Sequence, residues 1–308
     1  MRVLAEKLRG EQGFALIITL LVTAIIVSLL GEIVFSVHMD TTAAAGYIDY
    51  ENAGIMAGDG LPVAVAFSRE INEAGYTYLG EDKGVRSLKN ERGELNVRLF
   101  DESGRLSLNA IVFKNGEINQ DYYDMYIRLL GELGLPASLA GSLADWIDSD
   151  DSARKDGGEN NDYYLRLSAP YASKGAPLST VEELYLVKGY GVDEVKALRE
   201  FVTVKTNGKV NINTAPGPVL RALSPEITDE MARDVISYRA GTPFRNTADI
   251  RKVSGFEQLG FNLQNRIVVK SRIFRALITA RAGRSRSTAE AVFENSDKES
   301  TTYYYRQR

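Results

Sequence analysis

The sequence predicts an α+β protein with a long N-terminal helix, an antiparallel sheet and a large all-helical insertion. Three observations support this fold class: an apolar run near the N-terminus, strand-like alternation on either side of the chain's middle, and helical periodicity in between. A chain of 308 residues with 44% hydrophobic and 25% charged residues can bury a sizeable core. We therefore expect one large domain or two modest ones.

The composition excludes several functional classes. A formal net charge of -4 argues against a protein whose whole surface holds nucleic acid. The absence of cysteine removes disulfides, thiolate metal sites and cysteine nucleophiles. The single histidine, His38, excludes mechanisms that need several imidazoles. The composition therefore favours a structural or binding role over catalysis.

The first predicted element is a membrane-spanning helix over residues 14–35. Its only ionisable side chain is Glu32, and at about 1.5 Å per residue it crosses a hydrocarbon layer of about 30 Å. The weakly basic flank before it favours a cytoplasmic N-terminus, with the bulk of the chain outside. The run is long and no small-residue cleavage site follows it, which disfavours removal by signal peptidase. A plain single-pass anchor stays open as an alternative.

The helix is expected to extend to about residue 72, with a kink or an interruption. Gly58, Gly60 and Pro62 favour a break near residues 58–62. A β-hairpin is predicted next, because ELNVRLFDESGRLSLNAIV alternates apolar and polar residues on both sides of a turn. The first strand of this hairpin covers residues 94–100, and Gly104 forms the turn.

Short helices with glycine or proline stops fill the middle of the chain, and STVEE carries a capping box. Strand-like composition returns in RIFRALITARAG, STAEAVFEN and TTYYYRQR. The simplest architecture returns these strands to the early hairpin, so that residues 115–268 form an insertion. Two sequential domains stay open as an alternative. Arg281, Arg284 and Arg286 cluster at a turn, which is either a solvated loop or a partner patch.

The densest functional-looking stretch is the acidic loop LADWIDSDDSARKDGGENNDYYL. It sets seven carboxylates against Arg154 and Lys155: Asp145, Asp148, Asp150, Asp151, Asp156, Glu159 and Asp162. Such oxygen-rich loops suit a hard cation such as Ca²⁺. The spacing of Asp148 and Asp150 lets both reach one ion, and Gly157 and Gly158 let Glu159 fold back. The spacing is not that of an EF-hand, and a solvated acidic loop stays open as an alternative.

The junction between Gly13 and Phe14 resembles a type IV prepilin leader: a short charged segment, a glycine, a phenylalanine and an apolar helix. The resemblance implies cleavage between Gly13 and Phe14 and methylation of the new Phe14 amine, with the helix retained. Most pilin-like subunits carry glutamate at the fifth mature position, where it pairs with the N-terminal ammonium of a neighbouring subunit. Here that position is Ile18. The K-type minor pseudopilin of type II secretion usually lacks this carboxylate.

Motifs along nearly the whole chain resemble the same K-type family, GspK. They are, in order, DWIDSDD, a G-x-E-x-x-x-Y pattern at Gly157, Glu159 and Tyr163, PLSTVEEL, VNINTA, and an R-x-x-x-x-F pattern at Arg239 and Phe244. The resemblance implies a pilin-like body with an inserted helical domain. It also implies association with the I- and J-type minor pseudopilins at the tip of the pseudopilus.

The same resemblance implies a structural calcium ion in the acidic loop. Residue by residue, it favours Asp148, Asp150 and Glu159 as ligands, with Asp151 and Asp156 as further candidates. Some relatives carry a disulfide, which this chain cannot form because it has no cysteine. Packing and cation binding must therefore hold the insertion together.

These inferences define the expected domains and function. The domains are a leader over residues 1–13, a helix over 14–72, a sheet domain from 73–114 and 269–308, and an inserted helical domain over 115–268. The function is that of a non-catalytic minor pseudopilin, anchored in the bacterial inner membrane with a periplasmic C-terminal domain, which initiates or caps the fibre. The expected partners are the other pseudopilins, the prepilin peptidase and inner-membrane lipid, and no nucleic acid.

Two other functions stay open. The segment VNINTAPGPVLRALSPEITDEMARDVISYRAGTPFRNTADIRKVSG also resembles helix-hairpin-helix modules, which bind DNA phosphates through backbone amides at a helix N-terminus. Glu226, Asp229 and Glu230 stand where an anion should dock, which disfavours DNA. The enzyme alternative is a membrane-anchored, calcium-dependent hydrolase, which needs a convergent pair of acids in a sugar-sized cleft.

Overall fold

The N-terminal helix is one uninterrupted element. The structure, a computed structural model, describes residues 2–80, 83–150, 152–296 and 299–308, with side chains from Phe14 onward. Helix α1 (Arg2–Ile71) continues through Pro62. The interruption predicted near residues 58–62 is therefore absent. Proline removes one backbone donor from the helix, but packing of this part of α1 against the sheet, through Ala57, Ala64 and Phe67, stabilises it.

Short helices and strands make up the rest of the described chain. The strands are β1 (Val85–Asn90), β2 (Gly93–Asp101), β3 (Leu106–Ser107), β4 (Val202–Thr203), β5 (Val210–Asn211), β6 (Ile267–Val268), β7 (Ile273–Ala282), β8 (Ser285–Asn295) and β9 (Ser300–Gln307). The helices are α2 (Gln120–Glu132), α3 (Ser138–Ile147), α4 (Asn161–Leu165), α5 (Val192–Leu198), α6 (Gly217–Ala222), α7 (Asp229–Gly241) and α8 (Leu259–Leu263). Five 3-10 helices join them: Asn72–Ala74, Glu102–Gly104, Leu108–Ile111, Val181–Leu186 and Thr247–Lys252.

The main sheet contains five antiparallel strands in the order β1-β2-β7-β8-β9. Val97 of β2 lies opposite Ile278 of β7, so the C-terminal strands return to the early part of the chain as predicted. Because β2 and β7 are neighbours, every element between them belongs to an insertion. The alternative of two sequential domains is therefore wrong.

The early hairpin differs from the predicted one. β1 and β2 pair across a turn that follows Asn90, whereas the chain leaves the sheet after Asp101. β3 pairs in parallel with β4 and not with β2. The hairpin with its turn at Gly104 was a wrong prediction, because Leu106 and Leu108 are both fully buried in the insertion and do not lie on a half-exposed strand. Residues 106–112, which we expected in the sheet domain, thus pack with the insertion.

Two separate hydrophobic cores stabilise the fold. One lies between α1 and the inner face of the sheet and includes Phe67, Phe274 and Phe293. The other lies inside the insertion, where Tyr126 and Trp146 pack among short helices. The insertion is therefore a packed unit in its own right.

A buried polar joint connects the two units. Asp101, at the end of β2, accepts hydrogen bonds from Ser103 N (2.7 Å), Asn211 Nδ2 (2.6 Å) and Thr214 Oγ1 (2.6 Å). Asn211 Nδ2 also donates to the carbonyl of Thr77, just past the end of α1 (3.2 Å). The VNINTA motif thus ties the insertion to the sheet and to the end of the long helix.

Helix α1 crosses the sheet from one end to the other. Asp49 accepts a hydrogen bond from the backbone amide of Arg284 in the β7–β8 turn (3.2 Å). Gly60 packs against Ile278 in the middle of β7, and Ser68 accepts a hydrogen bond from Asn295 at the far end of β8 (2.8 Å). The β7–β8 turn therefore lies at the end of the sheet nearest the apolar part of α1.

Candidate functional site

The N-terminal half of α1 presents an unpacked apolar surface. Residues 14–48 are exposed, and Phe14 and Ile18 keep 67% and 46% of their accessible surface. Among the described residues, α1 is the one helix that is long and apolar enough to cross a membrane by length and composition. Apolar surface of this extent needs lipid or another helix against it. The predicted processing residues, Gly13 and Phe14, both lie in this helix.

The acidic loop is neutralised from within by Arg154. Its guanidinium contacts Asp145 Oδ1 and Asp148 Oδ2, and its backbone amide donates to Asp145 Oδ2 (2.8 Å). Burial raises the pKa of both carboxyls, to about 6 for Asp148, although the contacts with Arg154 act in the opposite direction. The other oxygen of Asp148, Oδ1, is buried without a hydrogen-bond partner. This oxygen is available to a cation.

Two further predicted ligands lie against separate partners. Asp150 accepts a hydrogen bond from the backbone amide of Ser152 (2.8 Å). Asp156 accepts one from the hydroxyl of Tyr123 on α2. Burial, followed by this hydrogen bond, raises the pKa of the Tyr123 hydroxyl. The structure therefore directs Asp156 towards α2.

Glu159, the third favoured ligand, forms an ion pair with Lys188, beyond the loop. Asp151 lies outside the described residues. Within the described ranges, no three carboxylate or histidine side chains stand close enough together to hold a metal ion. The calcium site therefore stays a prediction, with a single buried and unpaired oxygen at Asp148 in its favour.

Glycines let the acidic loop pack tightly against α3. Gly157 has a φ of 108°, which glycine adopts without strain. Gly158 lies so close to the Asp145 carboxylate that a Cβ there would overlap it, and a Cβ on Gly141 would lie 2.7 Å from the carbonyl oxygen of Asp156. Loop and helix therefore form one packed unit.

Sequence reasoning counted Asp145 and Arg154 as charges but assigned neither of them a role. The structure brings them together because α3 ends just after Asp145 and the loop then returns over that end. A signal was present: Arg154 and Lys155 are the only cations in the acidic stretch, and a buried carboxylate needs a cation or a donor nearby.

Carboxylates also occupy the helix N-terminus in the segment that resembles DNA-binding modules. α7 begins at Asp229, and Thr228 caps it by accepting a hydrogen bond from the Met231 amide (3.2 Å). Asp229 pairs with Arg221 of α6. A phosphate approaching this helix end would meet Asp229 and Glu230, so the local charge opposes DNA binding.

Comparison with known proteins places this arrangement in a family. Two family models, both described as type II secretion system (T2SS), protein K, match residues 104–207 and 210–270, which together exceed half of the chain. Type II secretion system protein K of Pseudomonas aeruginosa is 28% identical over 93% of this chain and 89% of its own. The protein of the same name from Klebsiella pneumoniae is 26% identical, over 77% of this chain and 78% of its own.

A solved structure supports the same fold. A chain from the crystal structure of the GspK-GspI-GspJ complex of the enterotoxigenic Escherichia coli type 2 secretion system covers 87% of this chain and 99% of its own, with a TM-score of 0.70 and 17% identity. The predicted α+β fold, with its long helix, antiparallel sheet and helical insertion, is thereby confirmed. From the matched models, the relatives and the motifs together, it follows that this chain belongs to the type II secretion system protein K (GspK) family of pseudopilins.

Proposed function

We propose that this chain is the minor pseudopilin at the tip of the type II secretion pseudopilus, where it initiates or caps the fibre that drives export of folded proteins across the outer membrane. The observation that carries the proposal is the exposed Ile18, in the fifth position after the Gly13–Phe14 junction. A carboxylate at this depth pairs with the N-terminal ammonium of a neighbouring subunit. Ile18 cannot make that bond, so the subunit has no such attachment to a subunit above it.

The N-terminus is proposed to mature by cleavage between Gly13 and Phe14 and by N-methylation of Phe14. Residues 14–35 then remain as the single span in the bacterial inner membrane, with the sheet and the insertion in the periplasm. The continuous exposed apolar surface of α1 supports an anchor that persists after processing.

The proposed partners are the I- and J-type minor pseudopilins, the other pseudopilins and the prepilin peptidase. The relative of similar fold was crystallised in a complex with GspI and GspJ. In this chain, residues 14–48 offer the surface against which neighbouring helices can pack, because no other part of the chain that the structure describes covers them. Tyr47 and Ile48 form the end of this surface nearest the sheet, and the exposed Tyr50 extends it.

The role is proposed to be structural and not catalytic. In the acidic loop, Asp145 and Asp148 lie against Arg154, and Glu159 lies against Lys188. Carboxylates neutralised in this way stabilise a loop but are poorly placed to exchange protons with a substrate. This arrangement supports the pseudopilin proposal over a calcium-dependent hydrolase.

Calcium is proposed as a structural ion of the acidic loop. Asp148, Asp150 and Glu159 are the favoured ligands, and Asp151 and Asp156 are further candidates. The donor chemistry fits a hard cation, and the buried, unpaired Oδ1 of Asp148 supports the fit. Arg154 competes with such an ion, because it already neutralises Asp145 and Asp148.

Mass spectrometry of the protein extracted from membranes tests the maturation step. The expected result is a chain that begins at Phe14 and carries one methyl group on its amine. Retention of residues 1–13 would contradict the proposal.

Replacement of Ile18 tests the position at the tip. In a strain that assembles visible pseudopili, immunogold labels on the wild type and on an Ile18→Leu control are expected at fibre ends only. With Ile18→Glu, labels are expected along the fibre as well, because the new carboxylate permits attachment beneath another subunit. Wild-type labels spread evenly along the fibre would refute the tip assignment.

A further inference from the structure

One end of the sheet carries a group of cations that the proposed function does not use. We call it the basic rim: Lys89, Arg92, Arg281, Arg284 and Arg286. All five side chains are exposed, and within the described part of the chain none forms an ion pair. They lie at or beside the β1–β2 and β7–β8 turns. Three carboxylates lie near them, on Asp49, Glu91 and Glu94, so the rim keeps an excess of positive charge although the whole chain is acidic.

Within the rim, two like charges face each other. Arg281 of β7 and Arg286 of β8 are directly opposite in the sheet register. Like charges in this position destabilise a sheet. Glu94 lies opposite Arg281 on the other side, but its carboxylate accepts a hydrogen bond from Asn96 (2.9 Å) and pairs with neither arginine. An external anion is therefore the group that would relieve this repulsion.

The rim faces the apolar end of α1. Asp49 contacts the β7–β8 turn, whereas Ser68 contacts the opposite end of the sheet. Asp49 follows Phe35 by a distance of about 21 Å along the helix, at a rise of about 1.5 Å per residue. The basic rim is thus the part of the sheet that comes closest to the membrane-spanning segment.

We propose that the basic rim binds the surface of a bilayer that contains anionic phospholipid. This contact tilts helix α1 towards the side that carries the sheet while the subunit is in the membrane, before it enters the fibre. This inference rests on the proposed anchoring by residues 14–35. The phospholipid phosphate supplies the anion that Arg281 and Arg286 lack. A bilayer surface is favoured over an acidic protein because α1 itself fixes the rim above the membrane.

The distances allow this contact. Membrane helices tilt by about 20° on average and up to about 40°. With the sheet packed about 10 Å from the helix axis, a tilt of about 20° towards the sheet leaves the rim roughly 16 Å above the hydrocarbon, and one of about 40° leaves it roughly 10 Å above. The headgroup layer fills roughly 5 to 8 Å of this gap. The remainder is roughly 8 to 11 Å at the smaller tilt and roughly 2 to 5 Å at the larger one, which is comparable to or less than the Debye length of about 10 Å at 0.1 M salt.

Energy transfer to the lipid surface tests the proposal in the full mature chain. Because the chain has no cysteine, Glu91→Cys introduces a single labelling site at the exposed β1–β2 turn. The labelled protein is inserted into vesicles of phosphatidylcholine alone, or of an equal mixture with phosphatidylglycerol, that contain a headgroup-linked acceptor. Transfer is expected to be greater in the anionic vesicles and to fall to the zwitterionic value in high salt.

Matched variants show whether the rim itself is responsible. Arg281→Gln/Arg284→Gln/Arg286→Gln is expected to abolish the difference between the two lipid mixtures. The control Arg245→Gln/Lys270→Gln/Arg272→Gln removes the same charge from exposed, unpaired side chains away from the rim, and is expected to keep the difference. Equal transfer in both mixtures, or equal behaviour of the two triple variants, would overturn the proposal.

Two further outcomes separate this inference from its alternatives. If purified partner pseudopilins no longer captured the rim variant while energy transfer to lipid stayed unchanged, the rim would bind an acidic protein surface. This outcome would overturn the proposal of a lipid surface. Resistance of the inserted chain to alkaline extraction measures its membrane anchoring independently of the rim. A chain extracted from both vesicle types would overturn the anchoring proposal, and this inference with it, whereas a retained chain with equal transfer overturns the rim alone.

Discussion

At the scale of single residues, Asp101 links the sheet to the insertion. Its buried carboxylate accepts from Ser103 on its own chain segment and from Asn211 and Thr214 of the insertion. Burial raises the pKa of Asp101, while these hydrogen bonds act against the rise. One side chain thus satisfies donors that lie more than a hundred residues apart in sequence.

We expect Asp101→Ala to lower the free energy of unfolding by at least about 3 kcal/mol, because it leaves several buried donors without an acceptor. Chemical denaturation of the purified protein measures the loss. Asp162→Ala is the control: its carboxylate is exposed and meets Arg166 at 3.3 Å, so the expected change is within about 0.5 kcal/mol. Similar losses in the two variants would contradict the role given to the joint.

Glu183 provides a prediction of pH dependence. Burial would raise its pKa, but the hydrogen bonds from Lys174 (2.5 Å) and from the backbone amides of Ser179 and Thr180 lower it below 4.5. The carboxylate therefore stabilises the fold when ionised: its contribution is complete above pH 4.5 and is lost as the pH falls through the lower pKa of the folded state.

The free energy of unfolding of the wild type, relative to that of Glu183→Gln, should therefore be greatest near neutral pH and shrink in acid. Urea denaturation of both proteins across a pH series measures the difference. A difference that stayed constant, or grew as the pH fell, would show that the Glu183 contacts do not stabilise the ionised form.

At the scale of elements, the fold depends on how closely α1 approaches the sheet. Gly60 lies so near Ile278 that an added Cβ would overlap its Cγ2 atom, with Leu95 Cδ1 at 3.3 Å on the other side. Gly46, on the same helix, has nothing within 4 Å of where its Cβ would be. A Cβ atom would thus clash at Gly60 but would meet open space at Gly46.

Gly60→Ala is expected to lower the thermal midpoint, because overpacking of about 1 to 3 kcal/mol exceeds the helix-propensity gain of up to about 1 kcal/mol. Gly46→Ala gains propensity without a clash, so its midpoint should be unchanged or slightly higher. Thermal unfolding followed by circular dichroism compares the two variants. The close approach would be refuted if Gly60→Ala were as stable as Gly46→Ala.

Elements with a pattern that is local in the sequence were predicted correctly, whereas elements that depend on contacts distant in the sequence were not. The long helix and strands β7 to β9 were predicted because their patterns are local and extend over many residues. The hairpin at Gly104 was wrongly predicted because Leu106 and Ser107 pair with Val202 and Thr203, a contact that no local alternation reveals. In the acidic loop, composition identified the carboxylates, but the return of Arg154 onto Asp145 and Asp148 depends on the fold of the loop over α3.

At the scale of the whole molecule, two hydrophobic cores meet at one polar joint. The acidic loop belongs to the insertion and packs against α2 and α3. Stabilisation of this loop should therefore act on the insertion first. Because the two units have separate cores, calcium binding can be measured as a difference between the unfolding of the insertion and that of the sheet.

Calcium is expected to raise the unfolding transition of the insertion more than that of the sheet, by about 2.7 kcal/mol at a concentration of 100 times the Kd. Calorimetry and hydrogen exchange, with calcium or with a chelator, measure the shift and locate it. Asp148→Asn/Glu159→Gln should lose the response, whereas the exposed Asp162→Asn should keep it. A response that survived in the double variant would reject this ligand set, and none in the wild type would reject the ion.

The unbroken course of α1 gives the molecule a mechanical property. From Phe14 to Ile71 the helix is about 85 Å long, at a rise of about 1.5 Å per residue, and its C-terminal part is clamped to the sheet. Because the helix is not interrupted at Pro62, one continuous element joins its exposed N-terminal part to the sheet. If the helix rotates by about 10° about its N-terminal end, its C-terminal end moves through roughly 15 Å, so a small rotation of the apolar part of α1 becomes a large displacement of the sheet and the insertion.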